Sequence, residues 1–248
     1  NAARLARDAG YSTIGLTNTR DSSITRITDA TVYTHAGLEV SVAASKSFTA
    51  QLVDLNLLGL HLFPPPLNRF HNLLTELRFL PAKAQRVLDQ EAKLKEIGVK
   101  LASRQSAYLV AKGVHHAVAL EGSLKLKELA YLHAEALLAG ELKHGPLTML
   151  TEESPVIALA PLDGTYGRVI QAVREARARG APMTVITDNH DDALESLADE
   201  IVYLPSTERC FSPILMTIAL QVIAYYCALE RGFPIDRPRN LAKSVTVF

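Results

Sequence analysis

Cysteine, net charge and long apolar runs are all scarce in this chain. Two cysteines in 248 residues, Cys210 and Cys227, are too few for a disulfide framework or a metal cluster. Both lie in or beside an apolar helical stretch, where reduced, buried thiols are expected. The 26 basic side chains are matched by 26 acidic ones, and no basic stripe marks a nucleic-acid-binding surface. The most apolar stretch, Pro213 to Leu229, is broken by Thr217 and Gln221 and falls short of the roughly 20 residues that a membrane span needs. It reads as a core or interface helix. Asn1 to Gly10 carries Arg4, Arg7 and Asp8 without an apolar centre, so nothing there resembles a signal peptide, and a cytoplasmic location is expected. His115 and His116 have no carboxylate or cysteine at ligand spacing, and no metal site is read.

With 48% hydrophobic residues, the chain can bury one large core or two smaller ones. Strands alternate with helices, the pattern of an α/β fold with doubly wound parallel sheets. A helix over Asn1 to Asp8 leads to strands near Thr13 to Thr17 and Thr31 to Thr34. A helix from Ser45 to Phe63 then stops at Pro64-Pro65-Pro66, the clearest internal boundary. Two linking helices, Leu67 to Leu80 and Lys83 to Ser103, precede a second unit. Its strands are expected at Ala107 to Ala111, Val156 to Ala160, Met183 to Thr187 and Ile201 to Leu204. Its helices are expected at Val114 to Tyr131, Tyr166 to Arg179, Asp191 to Ala198 and Pro213 to Arg231. Ligands of such sheets sit beyond the carboxyl ends of strands, which points to the loop after Ala111.

Chemistry gathers in three places. On the helix over 114–131, Lys125 and Glu128 are three apart and Glu121 and Lys125 four apart, so all three share one face. Leu120, Leu124 and Leu126 suggest that most of this helix is packed, which would hold a carboxylate in partly dry surroundings. Burial raises a carboxyl pKa and a nearby ammonium lowers it, the balance that tunes a proton shuttle. In most proteins the same spacing is only a solvated pair worth a few tenths of a kcal/mol. His144 stands in a loop opening at Gly140, with Gly145 and Pro146 fixing its direction; a loop histidine is otherwise usually structural or solvated. Lys243 has small and apolar neighbours in the C-terminal run, a setting in which lysine can attack a carbonyl, although a chain end normally frays.

These segments closely resemble the isomerase half of the glutamine:fructose-6-phosphate aminotransferase family. They are the helix Glu121-Gly-Ser-Leu-Lys-Leu-Lys-Glu128, the loop Gly140-Glu-Leu-Lys-His-Gly-Pro-Leu147 and the tail Arg239-Asn-Leu-Ala-Lys-Ser-Val-Thr-Val247. A fourth matching run is Ala36 to Thr49.

The resemblance implies two sugar isomerase (SIS) domains in tandem, the first truncated at its N-terminus. Residues 1–66 would be its remainder, 67–234 the linking helices and second domain, and 235–248 an active-site tail. It implies conversion of fructose 6-phosphate and ammonia to glucosamine 6-phosphate, with no metal or organic cofactor. The ammonia would come from a glutaminase domain that this sequence does not include, and the chain would act as a homodimer.

In that reading Glu128 moves the proton between the first two sugar carbons and Lys125 assists. His144, reaching over from the partner subunit, opens the ring. Lys243 forms an imine with the carbonyl or positions the open chain, and the backbone at Val42 and Ala242 contacts the sugar. Ala44 departs from the family pattern, which has a hydroxyl there; one lost hydrogen bond costs about 0.5–1.5 kcal/mol of affinity. The alternatives are a stand-alone sugar-phosphate isomerase or deglycase, or a non-catalytic sugar-phosphate-binding module.

Overall fold

The computed structural model describes residues 1–243; Ser244 to Phe248 of the tail motif lie outside the described residues. Short apolar runs without polar alternation form the centre of the second unit. β3 (Ser106–Ala111), β5 (Val156–Leu159) and β6 (Met183–Thr187) are buried almost throughout, as parallel strands covered on both faces must be. With β4 (His133–Leu138) and β7 (Glu200–Tyr203) they make a five-stranded sheet of order β4-β3-β5-β6-β7, every pairing parallel. The helices α4 (Glu91–Ala102), α5 (Val114–Ala130) and α7 (Ser212–Glu230) pack on one face, and α6 (Tyr166–Arg177) on the other.

The first unit is slighter. Helix α1 (Ala2–Asp8) buries none of its residues. It precedes a parallel pair, β1 (Ile14–Thr17) and β2 (Ala30–Tyr33), in register Ile14 with Ala30. Helix α2 (Lys46–Leu62) then packs on α7, as does α3 (Leu67–Leu88). Ser41 Oγ donates to the Ile235 carbonyl at 3.1 Å and Val42 N–H to the Asp236 carbonyl at 3.2 Å. The segment after β2 is thereby tied to the chain beyond α7.

Five local expectations differ from the structure. Pro81 lies inside α3 and does not end it. Leu73, Leu80 and Val87, seven residues apart, are all buried, and that stripe outweighs one missing backbone hydrogen bond. The edge strand β4 was not expected, because His-Ala-Glu-Ala-Leu-Leu has no β-branched residue. Asp191 to Ala198 is no α-helix but a short 3-10 turn, Asp192–Ser196, capped by the Asp191 side chain on Ala193 N–H at 3.0 Å. Cys227 is buried, but Cys210 is exposed in the turn before α7. Helix α7 does reach the length and hydropathy of a membrane span, yet 67% of its apolar window is buried inside the protein, which makes it a core helix.

Helices α4 and α7 cross at Gly98. A Cβ there would stand 2.6 Å from the Ile223 carbonyl oxygen and 2.9 Å from Tyr226 Cβ, so only hydrogen fits. Gly98→Ala should therefore cost about 1–3 kcal/mol despite alanine's better helix propensity. The expected readout is a lower urea midpoint with an unchanged slope; an unchanged midpoint would mean that the crossing parts freely.

Candidate active site

Lys125 is a buried charge that must be paired. Its residue is 3% exposed, and a lone ammonium so buried would lose its proton or disrupt the fold. Two carboxylates from its own helix meet it. Glu128 Oε2 accepts from Nζ at 2.6 Å, and Glu121 Oε1 lies 3.3 Å away, an ionic contact without hydrogen-bond alignment. Burial pushes the Glu121 carboxyl above its ordinary value; the Lys125 ammonium opposes that rise and the Glu128 charge adds to it. The sequence placed Glu121 on this stripe, but only its burial shows it to be part of the same charge cluster.

Glu128 occupies the last turn of α5, which runs back along the sheet from β3. It therefore lies at the amino edge of the five-stranded sheet, and not near the loop after Ala111 at the carboxyl edge. It lines a cleft of about 460 Å³ with Lys127, Tyr131, Leu132, His133, Arg239, Asn240 and Leu241. Lys127 and Arg239 make the cleft favourable to an anion, and Glu128 is the one carboxylate among the described residues that line it.

The far wall is the tail. Arg239 N–H donates to Tyr131 Oη at 2.7 Å and its guanidinium lies 4.3 Å from the centre of the Tyr131 ring. Two residues beyond Leu241, the Lys243 ammonium donates to the Glu39 carbonyl. Ala242 between them is exposed. The Glu39 side chain accepts from the Ser45 hydroxyl at 2.9 Å and from Ser47 N–H at 3.0 Å, fixing the N-terminus of α2. Burial raises its carboxyl pKa, but the hydrogen bonds from Ser47 and Ser45 outweigh that and hold it low. Residues 39–45 follow β2, so the carboxyl-end rule for ligands applies to the first sheet, whose loop meets the amino edge of the second.

The structure thus joins Glu128 and Lys125 directly, while Ala242 and Lys243 follow the tail residues that line the cleft, with Lys243 bonded to the Glu39 carbonyl and Val42 to the Asp236 carbonyl. His144 is apart from them. It is exposed, with its N–H on the Glu141 carbonyl at 3.0 Å, in the loop that follows β4, whereas Glu128 precedes β4. Six residues of strand put the two at opposite ends of roughly 20 Å. Leu120 and Leu124 are 51% and 41% exposed and only Leu126 is buried, so the apolar surround expected for this helix is one-sided. His115 is fully buried and bonded to Ser212 Oγ at 2.7 Å, a packing role. A larger cavity, about 580 Å³ among Arg4, Arg7, Asp8, Ser23, Arg26 and Ile27, touches none of these groups.

The sequence model of the SIS domain matches residues 100–231. The chain belongs to the SIS domain family. It is 44% identical over 255 residues to the glutamine–fructose-6-phosphate aminotransferase of Corynebacterium diphtheriae, and 40% identical over 246 residues to that of Pyrococcus horikoshii. Each alignment takes in 99% of this chain and 41% of the relative, so the chain spans about two fifths of those proteins. Among solved structures, the C-terminal domain of glucosamine-fructose-6-phosphate aminotransferase from Francisella tularensis superposes with a TM-score of 0.88 at 28% identity. That superposition covers 95% of this chain and 68% of that one. Glucosamine-6-phosphate deaminase from Thermotoga maritima, at 20% identity and a TM-score of 0.71, shares the fold alone. The similarity to the isomerase half therefore runs through nearly the whole chain.

Two outcomes follow from the Lys125 cluster. Lys125→Met should destabilise by about 3 kcal/mol, since it strands two carboxylates while conserving volume; chemical denaturation reads it. For Glu121 the folded state holds its proton more tightly than the unfolded state does. Its contribution to stability is therefore full below the ordinary carboxyl pKa of 4.5 and is lost as pH rises through the raised folded value. Melting temperatures of wild type and Glu121→Gln, compared from about pH 4 to about pH 7, should differ by a curve in which the wild type falls relative to the variant. Parallel curves would refute the shift.

Proposed function

We propose that this chain supplies the isomerase half of a glutamine-dependent amidotransferase, converting fructose 6-phosphate and ammonia to glucosamine 6-phosphate. The observation that carries the reading is one carboxylate, Glu128, held at 2.6 Å by a buried lysine on the wall of a cleft that it shares with Lys127, with residues 131–133 and with Arg239, Asn240 and Leu241 of the tail. An anionic sugar is drawn in by Lys127 and Arg239. After ring opening and loss of water to an imine at C2, Glu128 takes a proton from C1 and returns it to C2, leaving the aldehyde at C1 and the amine at C2. Lys125 holds that carboxyl group in place through both transfers by its hydrogen bond to Oε2. Lys243, once released from the Glu39 carbonyl, positions the open chain, or forms a first imine with the ketose from which ammonia then displaces the lysine amine. The backbone at Val42 and Ala242 contacts the sugar. No metal or organic cofactor enters this chemistry.

His144 opens the ring from a partner subunit in this reading. Its support is the length of β4: one chain cannot bring His144 and Glu128 to a single six-carbon sugar, whereas two copies can. A homodimer sharing its sites is therefore part of the proposal. So are residues 1–66 as the remainder of a first SIS domain, 67–234 as the linking helices with the second, and 235–248 as the site's tail. Ammonia would be delivered by a glutaminase domain of the longer protein, in the cytoplasm.

The test is amino-sugar phosphate formation from fructose 6-phosphate and an ammonium salt. Glu128→Gln should lower turnover by about 10²- to 10⁴-fold, and unchanged turnover would remove Glu128 from the mechanism. Glu128→Gln and His144→Ala chains, each impaired alone, should regain activity when unfolded and refolded together, because one site of the mixed dimer is then intact. Failure of that mixture alone would place the ring-opening group elsewhere.

A further inference from the structure

Tyr131 ends α5 with φ at +51°, in the left-handed region. That position after a helix normally belongs to glycine, because a Cβ there costs roughly 1–2 kcal/mol. A tyrosine kept at such a place points to a use for its side chain, and every part of that side chain is engaged. The hydroxyl accepts the Arg239 N–H at 2.7 Å, one face of the ring lies 4.3 Å from the Arg239 guanidinium, and the Phe233 ring is 4.4 Å away. Phe233 opens the stretch that leaves α7 and Arg239 begins the wall of the cleft. Tyr131 itself lines that cleft beside Glu128.

We infer that Tyr131 is a positioning residue, a latch that holds residues 239–241 over Glu128 and so completes the binding site for the phosphorylated sugar. The inference rests on the reading proposed above and deepens it. Between Phe233 and Lys243 the tail is pinned at three points: residues 235 and 236 on Ser41 and Val42, residue 239 on Tyr131, and Lys243 on Glu39. Only the middle pin belongs to the helix that carries the carboxylate. Freeing it lets Leu241 and Ala242 swing between their outer anchors, and substrate must then bind a form in which the wall is only partly present. Apparent affinity falls by the fraction that is docked, whereas saturation with substrate restores docking. The loss therefore falls on KM more than on kcat.

Two variants test the latch. Tyr131→Gly removes the ring and the hydroxyl and relaxes the backbone at a position where glycine is preferred, so folding is preserved. Tyr131→Phe removes only the hydroxyl. Amide hydrogen exchange at Arg239 should quicken by about 2- to 10-fold in Tyr131→Phe and by more in Tyr131→Gly. Kd for fructose 6-phosphate by calorimetry and KM in turnover should rise in the same order, while the melting temperature of Tyr131→Gly changes little. Unchanged exchange at Arg239 overturns the latch. Faster exchange with unchanged Kd overturns its role in the site. If wild type binds fructose 6-phosphate without aminating it and the Kd still rises in Tyr131→Gly, the latch stands and the proposed reaction fails; if wild type binds no sugar phosphate, both fail.

Discussion

Helix α7 is the constraint on which the rest of the molecule depends. It is apolar on all sides, and a helix of that kind persists in water only when surrounded. Here α2, α3, α4 and α5 all pack against it. Each contact fixes part of the site. α5 carries Lys125 and Glu128, α2 begins at the carboxylate of Glu39, and the chain leaving α7 becomes the tail that roofs the cleft. The close crossing at Gly98 sets how deeply α4 settles on α7. The burial that stabilises the core therefore also brings three distant stretches of sequence to one place.

A second constraint is the charge of Lys125. An ammonium removed from water is costly unless its partners are built in, and Glu121 and Glu128 are built in by helical spacing alone. The arrangement holds a carboxylate at the edge of a cleft while its partner stays dry. Glu121 is the more buried carboxylate, and burial raises its pKa. Glu128 is the carboxylate that faces the cleft.

Much of this was legible in the sequence because it is local. Helical spacing put Lys125, Glu121 and Glu128 on one face, and continuous apolar runs marked β3, β5 and β6. What was not legible depends on partners far along the chain. β4 is a strand only because β3 offers it an edge, since its own residues are helix formers. Pro81 is tolerated because Leu73, Leu80 and Val87 are buried on either side of it. The tail reads as a fraying end, and is held because Tyr131, Ser41, Val42 and Glu39 meet it in three dimensions. The separation of His144 from Glu128 likewise follows from β4, so a reading without that strand could not place them at opposite edges of the sheet.

The proposed ligand site lies where the end of α5 meets the tail, at the amino edge of the five-stranded sheet. Amide chemical shifts of isotopically labelled protein, followed while fructose 6-phosphate is added, test it most directly. The largest changes should fall on Glu128, Tyr131, Leu241 and residues 39–42. Changes confined to the opposite edge, around Gly113, Thr165 and Arg209, would contradict it.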